Sequence, residues 1–145
     1  MLRIMTHVSA KVKFSYPLNE SRFVSMDDNK DVTIGDLNTI AKRALLNAPC
    51  WVKLVEEMEE IDKVVERAAM LKLTKYKFHV GDNWFISISD ELPFVDIRRW
   101  YQRGDGIYLF PTLIGIALTF AQRNQLKEVA KLEDMKKEFE DAEPC

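Results

Sequence analysis

The stretch from Phe78 to Trp100 concentrates the side chains that could do recognition chemistry. Phe78, Trp84, Phe85, Phe94, Trp100 and the adjacent Tyr101 stand beside Arg98 and Arg99. Rings displayed on a sheet stack against unstacked bases, at about 1–3 kcal/mol per base and with little sequence preference. Guanidinium groups add phosphate and cation–π contacts. The same rings could instead fill the interior of an ordinary sheet, and the residues alone leave both arrangements open.

Other chemistry finds less support. His7 and His79 each fall in a strand pattern with no second ligand at metal spacing, so no metal and no cofactor is expected. No nucleophile elbow, phosphate-binding glycine loop or paired-carboxylate signature is present, so the chain is expected not to be an enzyme. Asp96 and Arg98 share a strand face at i and i+2, which predicts a local ion pair. Arg103-Gly104-Asp105 reads as a tight turn rather than an integrin-type motif.

The 145 residues carry a net charge of -2, with 47% hydrophobic and 30% charged residues. That length and balance suit one globular domain with a substantial extension. A protein coating duplex DNA through phosphates is more basic than this. Residues 75–145 hold 10 basic and 12 acidic side chains and residues 1–74 hold 11 of each, so any nucleic-acid surface must be a local patch. The two cysteines, Cys50 and Cys145, lack CxxC spacing, and MLRIMTHVSAK lacks the apolar core of a signal peptide. We therefore expect a reducing intracellular compartment, nuclear or cytoplasmic. No apolar run is long enough to span a membrane, and no internal sequence repeat is evident.

The elements that would position the rings follow from periodicity. His7–Tyr16 alternates as a half-buried strand, and Arg22–Met26 suits a second short one. Thr33 is expected to cap a helix whose apolar face is Leu37, Ile40, Ala41, Ala44 and Leu45. A longer helix is expected from about Cys50 to Leu71, with an acidic solvent face. From Lys75 the period changes to two. Lys75–Val80, Trp84–Ser89, Phe94–Trp100 and a strand within Ile107–Leu118 are separated by Gly81-Asp82-Asn83, Asp90–Pro93 and Gln102–Gly106. Thr119-x-x-Gln122 has capping-box spacing and opens a last helix with the apolar seam Leu126, Val129, Leu132, Met135 and Phe139. The fold class is therefore α+β. A strand–helix–helix extension (1–74) precedes a four-stranded antiparallel sheet followed by a C-terminal helix (75–145).

Phe78-x-Val80-Gly81, Phe85-Ile86-Ser87-Ile88-x-Asp90, Val95-Asp96-Ile97-Arg98-x-Trp100-Tyr101 and Gly115-Ile116-Ala117-Leu118-x-x-x-Gln122-x-x-x-Leu126-Lys127 occur in that order. As an ordered set they resemble the core domain of the positive cofactor four family of transcriptional coactivators, over about Lys77 to Lys136. The resemblance implies a sheet-plus-helix domain that pairs as a homodimer through its helices, here by Leu126, Val129, Leu132 and Met135. It also implies that the two sheets bind melted or single-stranded DNA with little sequence preference. Arg98 stands where the family has a backbone-contacting arginine, Tyr101 where it has a stacking ring, and Phe85 and Ser87 on the exposed strand face. Trp100 is expected to add stacking, and Lys77, Arg99 and Arg103 phosphate contacts.

The chain departs from the family at three places. Asp82 replaces a lysine, Glu91-Leu92-Pro93 replaces an aromatic–lysine tip, and the apolar 108–114 segment replaces a basic loop. The expectation is thus a dimeric, non-enzymatic binder of single-stranded DNA, with RNA as a related ligand, in transcription or replication. The alternative is a protein–protein module on the same dimer, its DNA channel degraded and a transcription or replication protein as partner. The 108–114 segment would then dock on the extension. A folded leader in place of the family's disordered one is consistent with a divergent viral member.

Overall fold

The computed structural model describes residues 11–102, 104, 106 and 108–144. Residues 7–10 of the first expected strand, and Arg103, lie outside that set. Among the described residues there are eight strands and four helices: β1 (Val12–Pro17), β2 (Arg22–Asp27), β3 (Val32–Asp36), β4 (Arg43–Leu46), α1 (Ala48–Glu56), α2 (Met58–Ala69), β5 (Lys75–Gly81), β6 (Trp84–Ser89), β7 (Leu92–Gln102), β8 (Leu109–Thr119), α3 (Phe120–Ala130) and α4 (Glu133–Glu138). The class is α+β, with two antiparallel four-stranded sheets ordered β1-β2-β3-β4 and β5-β6-β7-β8.

The N-terminal half departs from the expected strand–helix–helix. The segment read as a helix after Thr33 is a pair of strands. Val32 and Ile34 are buried in β3, Ala44 and Leu46 in β4, while Leu37 and Ile40 are exposed. The i, i+3, i+4 spacing of apolar residues was thus coincident with two short alternating runs joined by a loop. Thr33 sits mid-strand, and the Asp36 side chain builds the loop, accepting from Asn38 N at 2.8 Å and Thr39 N at 3.1 Å. The Asn38 amide, then Arg22, and last the Thr39 amide hold the Asp36 carboxyl below the usual carboxylate range. Val12 is exposed because a bulge between Val12 and Phe14 breaks the alternation of β1.

The expected Cys50–Leu71 helix is two helices that meet at Glu57. Asn47 caps α1, its Oδ1 accepting from Cys50 N at 3.0 Å, and Pro49 sits in the first turn, where its missing N–H leaves no bond unmade. The Thr119–Gln122 capping box forms in full at α3. That helix stops at Ala130, and α4 restarts after Leu132. The break turns Met135 and Phe139 inward, with the Phe139 ring 6.2 Å from that of Trp51.

The two halves repeat one topology: four antiparallel strands in chain order, then two helices. The repeat extends to register. Phe23 lies opposite Gly35, and Gly35 opposite Arg43, as Phe85 lies opposite Arg98 and Arg98 opposite Gly115. Ser25, Thr33 and Leu45 correspond in the same way to Ser87, Asp96 and Ala117. The caps Asn47 and Thr119 directly follow the equivalent residues Leu46 and Leu118. Edge-strand ring pairs match too: Phe14–Tyr16 at 6.3 Å and Tyr76–Phe78 at 6.5 Å. Few side chains are identical between the halves, which is why no sequence repeat is visible.

The halves share one core, which runs from Val24 and Ile34 through Trp51, Leu54 and Ile61 to Ile86, Ile97 and Leu126. The helices of the first half pack on the sheet of the second: α1 on β5, and α2 on β6 and β7. Tyr76 of β5 hydrogen-bonds to Glu57 between α1 and α2. Burial, then that carboxylate, push the phenol well above its ordinary pKa, so it remains the donor. Asp62 of α2 holds α3 through Arg123 at 2.5 Å and through Lys127. The sheets touch where Lys42 bridges Gly115 and where Arg22 Nη1 donates to Ala117 O at 2.7 Å.

Candidate nucleic-acid interface

Alternation along β5–β8 divides the second half into two faces. Val80, Trp84, Ile86, Ile88, Val95, Ile97, Ile116 and Leu118 are buried toward the helices. The other face carries cross-strand rows set by the register. His79, Phe85, Arg98 and Gly115 form one row, and Lys77, Ser87, Asp96 and Ala117 the next. The tight β5–β6 turn, with Asp82 and Asn83 at positive φ of 51° and 64°, fixes this register.

The face carries an open groove of about 520 Å³ whose lining includes Lys75, Lys77, Ser87, Phe94, Asp96 and Trp100. Phe85 stacks on His79 at 4.4 Å and meets Trp100 edge-on at 6.1 Å. The Lys77 ammonium lies 3.4 Å from the centre of the Trp100 ring. Arg98 forms the ion pair with Asp96 expected from their spacing, at 3.1 Å, and donates from Nη1 to Thr112 O at 3.1 Å. Two polar atoms of the groove, Ser87 Oγ and Trp100 Nε1, are buried without a hydrogen-bond partner. Buried polar atoms are nearly always paired in native proteins, so two unpaired ones in a single groove set it apart.

The expected contact residues separate on this geometry. Lys77, Phe85, Ser87, Arg98 and Trp100 converge on the solvent face. Arg99 does not: its guanidinium lies 5.7 Å over the core-side ring of Trp84 and 3.5 Å from Asp82. Tyr101, next to Trp100 on the strand, points to the opposite side, 58% exposed. Arg103 lies outside the described residues. Phe94, one of the rings singled out in the sequence, joins the face, and so do Lys75 and His79. Strand parity relative to Phe85 and Ser87 was the signal that could have found them.

Most of the expected dimer seam is buried within the chain itself. Leu126, Val129 and Met135 are 1%, 2% and 1% exposed within a single chain, packed in its own core. Only Leu132, at 42%, reaches the surface. The 108–114 segment, expected to dock on the N-terminal half, is largely exposed. It extends β8 as an arm paired with Trp100–Gln102, and a bulge at Thr112–Ile114 leaves Leu113 93% exposed. Thr112 builds the bulge, its hydroxyl donating to Arg99 O at 2.8 Å and accepting from Ile114 N at 3.1 Å.

Gly115 closes the bulge beneath Arg98. A Cβ there would lie 2.5 Å from Ile97 O and 2.7 Å from Arg98 Cα, both backbone atoms that cannot step aside. Gly115→Ala is therefore expected to part β7 from β8 and to cost about 1–3 kcal/mol in urea unfolding. Unchanged stability would contradict this account of the bulge.

The equivalent face of the first sheet has different chemistry. Ser15 stands in the place of Lys77 and Gly35 in that of Arg98, and the tip of the Phe23 ring lies over Gly35, 2.8 Å from where a Cβ would be. A separate groove of about 340 Å³, lined in part by Ser15, Phe23, Ser25 and Leu37, covers it. Among the described residues no group of three or more His, Cys, Asp or Glu could hold a metal ion, and no helix is long and apolar enough to cross a membrane. Comparison with family models, curated proteins and solved structures yields no match for this chain.

Proposed function

We propose that the chain is a non-enzymatic binder of single-stranded nucleic acid, DNA first, that acts where a duplex has been opened in transcription or replication. The observation that carries this reading is the solvent face of β5–β8. The rings of Phe85, Phe94 and Trp100, the cations Lys75, Lys77 and Arg98, and two unpartnered polar atoms lie on that one face. Rings and cations on an open groove bind bases by their faces and phosphates by charge, which suits unstacked strands and gives little sequence preference. The Asp96–Arg98 pair neutralises one cation, so stacking and the two lysines supply most of the affinity.

The resemblance to the positive cofactor four family extends in an altered form. That family builds its two-sheet unit from two chains. Here the register-level repeat supplies both sheets and both helix pairs from one polypeptide. The helix contacts that would make a homodimer are satisfied internally, and one face per chain keeps the binding groups. Leu132→Glu, at the one exposed residue of the expected seam, is therefore expected to leave the mass in solution unchanged by light scattering. A shift to a smaller species would restore the helix-paired dimer.

Fluorescence anisotropy with labelled oligo-dT tests the function. Binding is expected at low salt, with a slope of log affinity against log salt near -1 to -2, from two or three phosphate contacts. No binding at low salt would overturn the reading. A protein-binding module is the second reading. The exposed apolar arm with Tyr101, Tyr108, Leu109, Phe110, Leu113 and Ile114 favours it, since patches of this kind mark interaction sites.

A further inference from the structure

We propose that Lys77 acts as an exchangeable cap on Trp100: it occupies the base-stacking surface of the ring in the free protein and transfers to a phosphate when a strand binds. The inference rests on the single-strand reading and adds the residue that couples its two kinds of contact. At 3.4 Å the ammonium is in direct contact with the ring, whereas the other cation–π pairs lie at 5.5–5.9 Å. Phe85 meets the same indole edge-on at 6.1 Å. A base therefore cannot stack on the capped surface while Lys77 is in place.

Lys77 is also free to leave. Arg98 on the same face is tied to Asp96, but among the described residues no carboxylate pairs with Lys77. The Lys77 side chain stands on edge strand β5, its row directly beside Ser87. A cation–π contact at a solvent-facing site is weaker than a charge-assisted bond to phosphate. The capped ring lines the same groove as Ser87, and Ser87 Oγ and Trp100 Nε1 both lack partners there. One movement thus frees a stacking surface and delivers a cation to the backbone of the strand that will use it.

The cap and the phosphate contact separate by salt. Lys77→Ala removes one phosphate contact, so the salt slope for oligo-dT falls by about 0.7. It also uncovers the ring, so the affinity extrapolated to 1 M salt is expected to rise several-fold. Lys77→Arg, which keeps both contacts, is expected to restore both values. In the free wild-type protein the Lys77 side-chain methylene protons next to the ammonium should show an upfield ring-current shift in NMR. Oligo-dT should abolish it. A reduced slope with unchanged 1 M affinity, or a ring-current shift that persists in the complex, overturns the cap and leaves the binding face intact. A wild-type protein that fails to bind oligo-dT overturns the binding face itself, and the cap with it.

Discussion

Replacing Phe85 and Trp100 together by alanine is expected to weaken oligo-dT binding roughly 100-fold, from a loss of about 1–3 kcal/mol per stacked base at each ring. The two rings meet edge-on at 6.1 Å on the solvent face of β6 and β7, so together they form one platform. Neither belongs to the buried core, and the Trp100 indole N–H has no protein partner to lose. The fold should therefore survive, with thermal unfolding close to wild type. Tyr101→Ala is the matched control. It removes a ring of similar size from the neighbouring position but from the other side of the strand, and should change affinity by less than about 2-fold. A double variant that binds like wild type, or a Tyr101 variant that loses binding, would place the contact surface on the apolar arm.

The second large effect is on stability. Asp62→Asn is expected to cost about 3–5 kcal/mol, because it leaves the Arg123 guanidinium, 3% exposed, without its counter-charge. Arg123 Nε already lacks a hydrogen-bond partner, so the guanidinium relies on Asp62 for its charge balance. For a domain of this size the melting temperature should fall on the order of 10 °C. Replacing both partners by apolar residues, Asp62→Leu with Arg123→Met, should recover much of the loss, since an apolar pair of similar shape needs no desolvation.

The pH dependence of this site has a definite sign. Burial alone would raise the Asp62 carboxyl, but hydrogen bonds and charge from Lys127 and Arg123 outweigh it and hold the pKa below the usual value. A depressed folded pKa contributes stability that is complete above the unfolded value, near 4, and is lost as pH falls through the folded one. Wild-type stability should thus decline below about pH 4, and Asp62→Asn should lack that part of the decline. Urea unfolding at a series of pH values checks both. An acid limb identical in the two proteins would remove Asp62 from its cause.

Legibility in the sequence followed the strength of local signals. The second sheet was readable because the middles of its strands alternate, as in Trp84–Ser89, and its turns carry Gly81-Asp82-Asn83 and Asp90-Glu91. The capping box at Thr119 was readable because it needs only Thr119 and Gln122. The first sheet was obscured where two short strands, Val32–Asp36 and Arg43–Leu46, flank a loop whose exposed Leu37 and Ile40 imitate a helical face. Strand pairing across the sheet overrode that local pattern. The repeat was invisible because it is conserved in register and in caps rather than in side-chain identity: Asn47 and Thr119 do the same work in different chemistry. Arg99 and Tyr101 do not share the face of Arg98 and Trp100 for a simpler reason. Proximity in sequence to Arg98 and Trp100 puts a strand residue on the opposite side, not the same one. The helix seam was correctly apolar, but periodicity cannot tell an inner face that meets a partner from one that meets the chain's own core.

The measurement that bears most directly on the central claim is chemical-shift mapping of the isotope-labelled protein with unlabelled oligo-dT. The single-strand reading predicts that shifts concentrate on Lys75, Lys77, Phe85, Ser87, Arg98 and the Trp100 indole N–H. The equivalent positions of the first sheet, Ser15, Phe23 and Gly35, and the apolar arm from Tyr108 to Ile114, should stay close to their free values. Shifts confined to the arm or to the first sheet, or none at all at low salt, would contradict it.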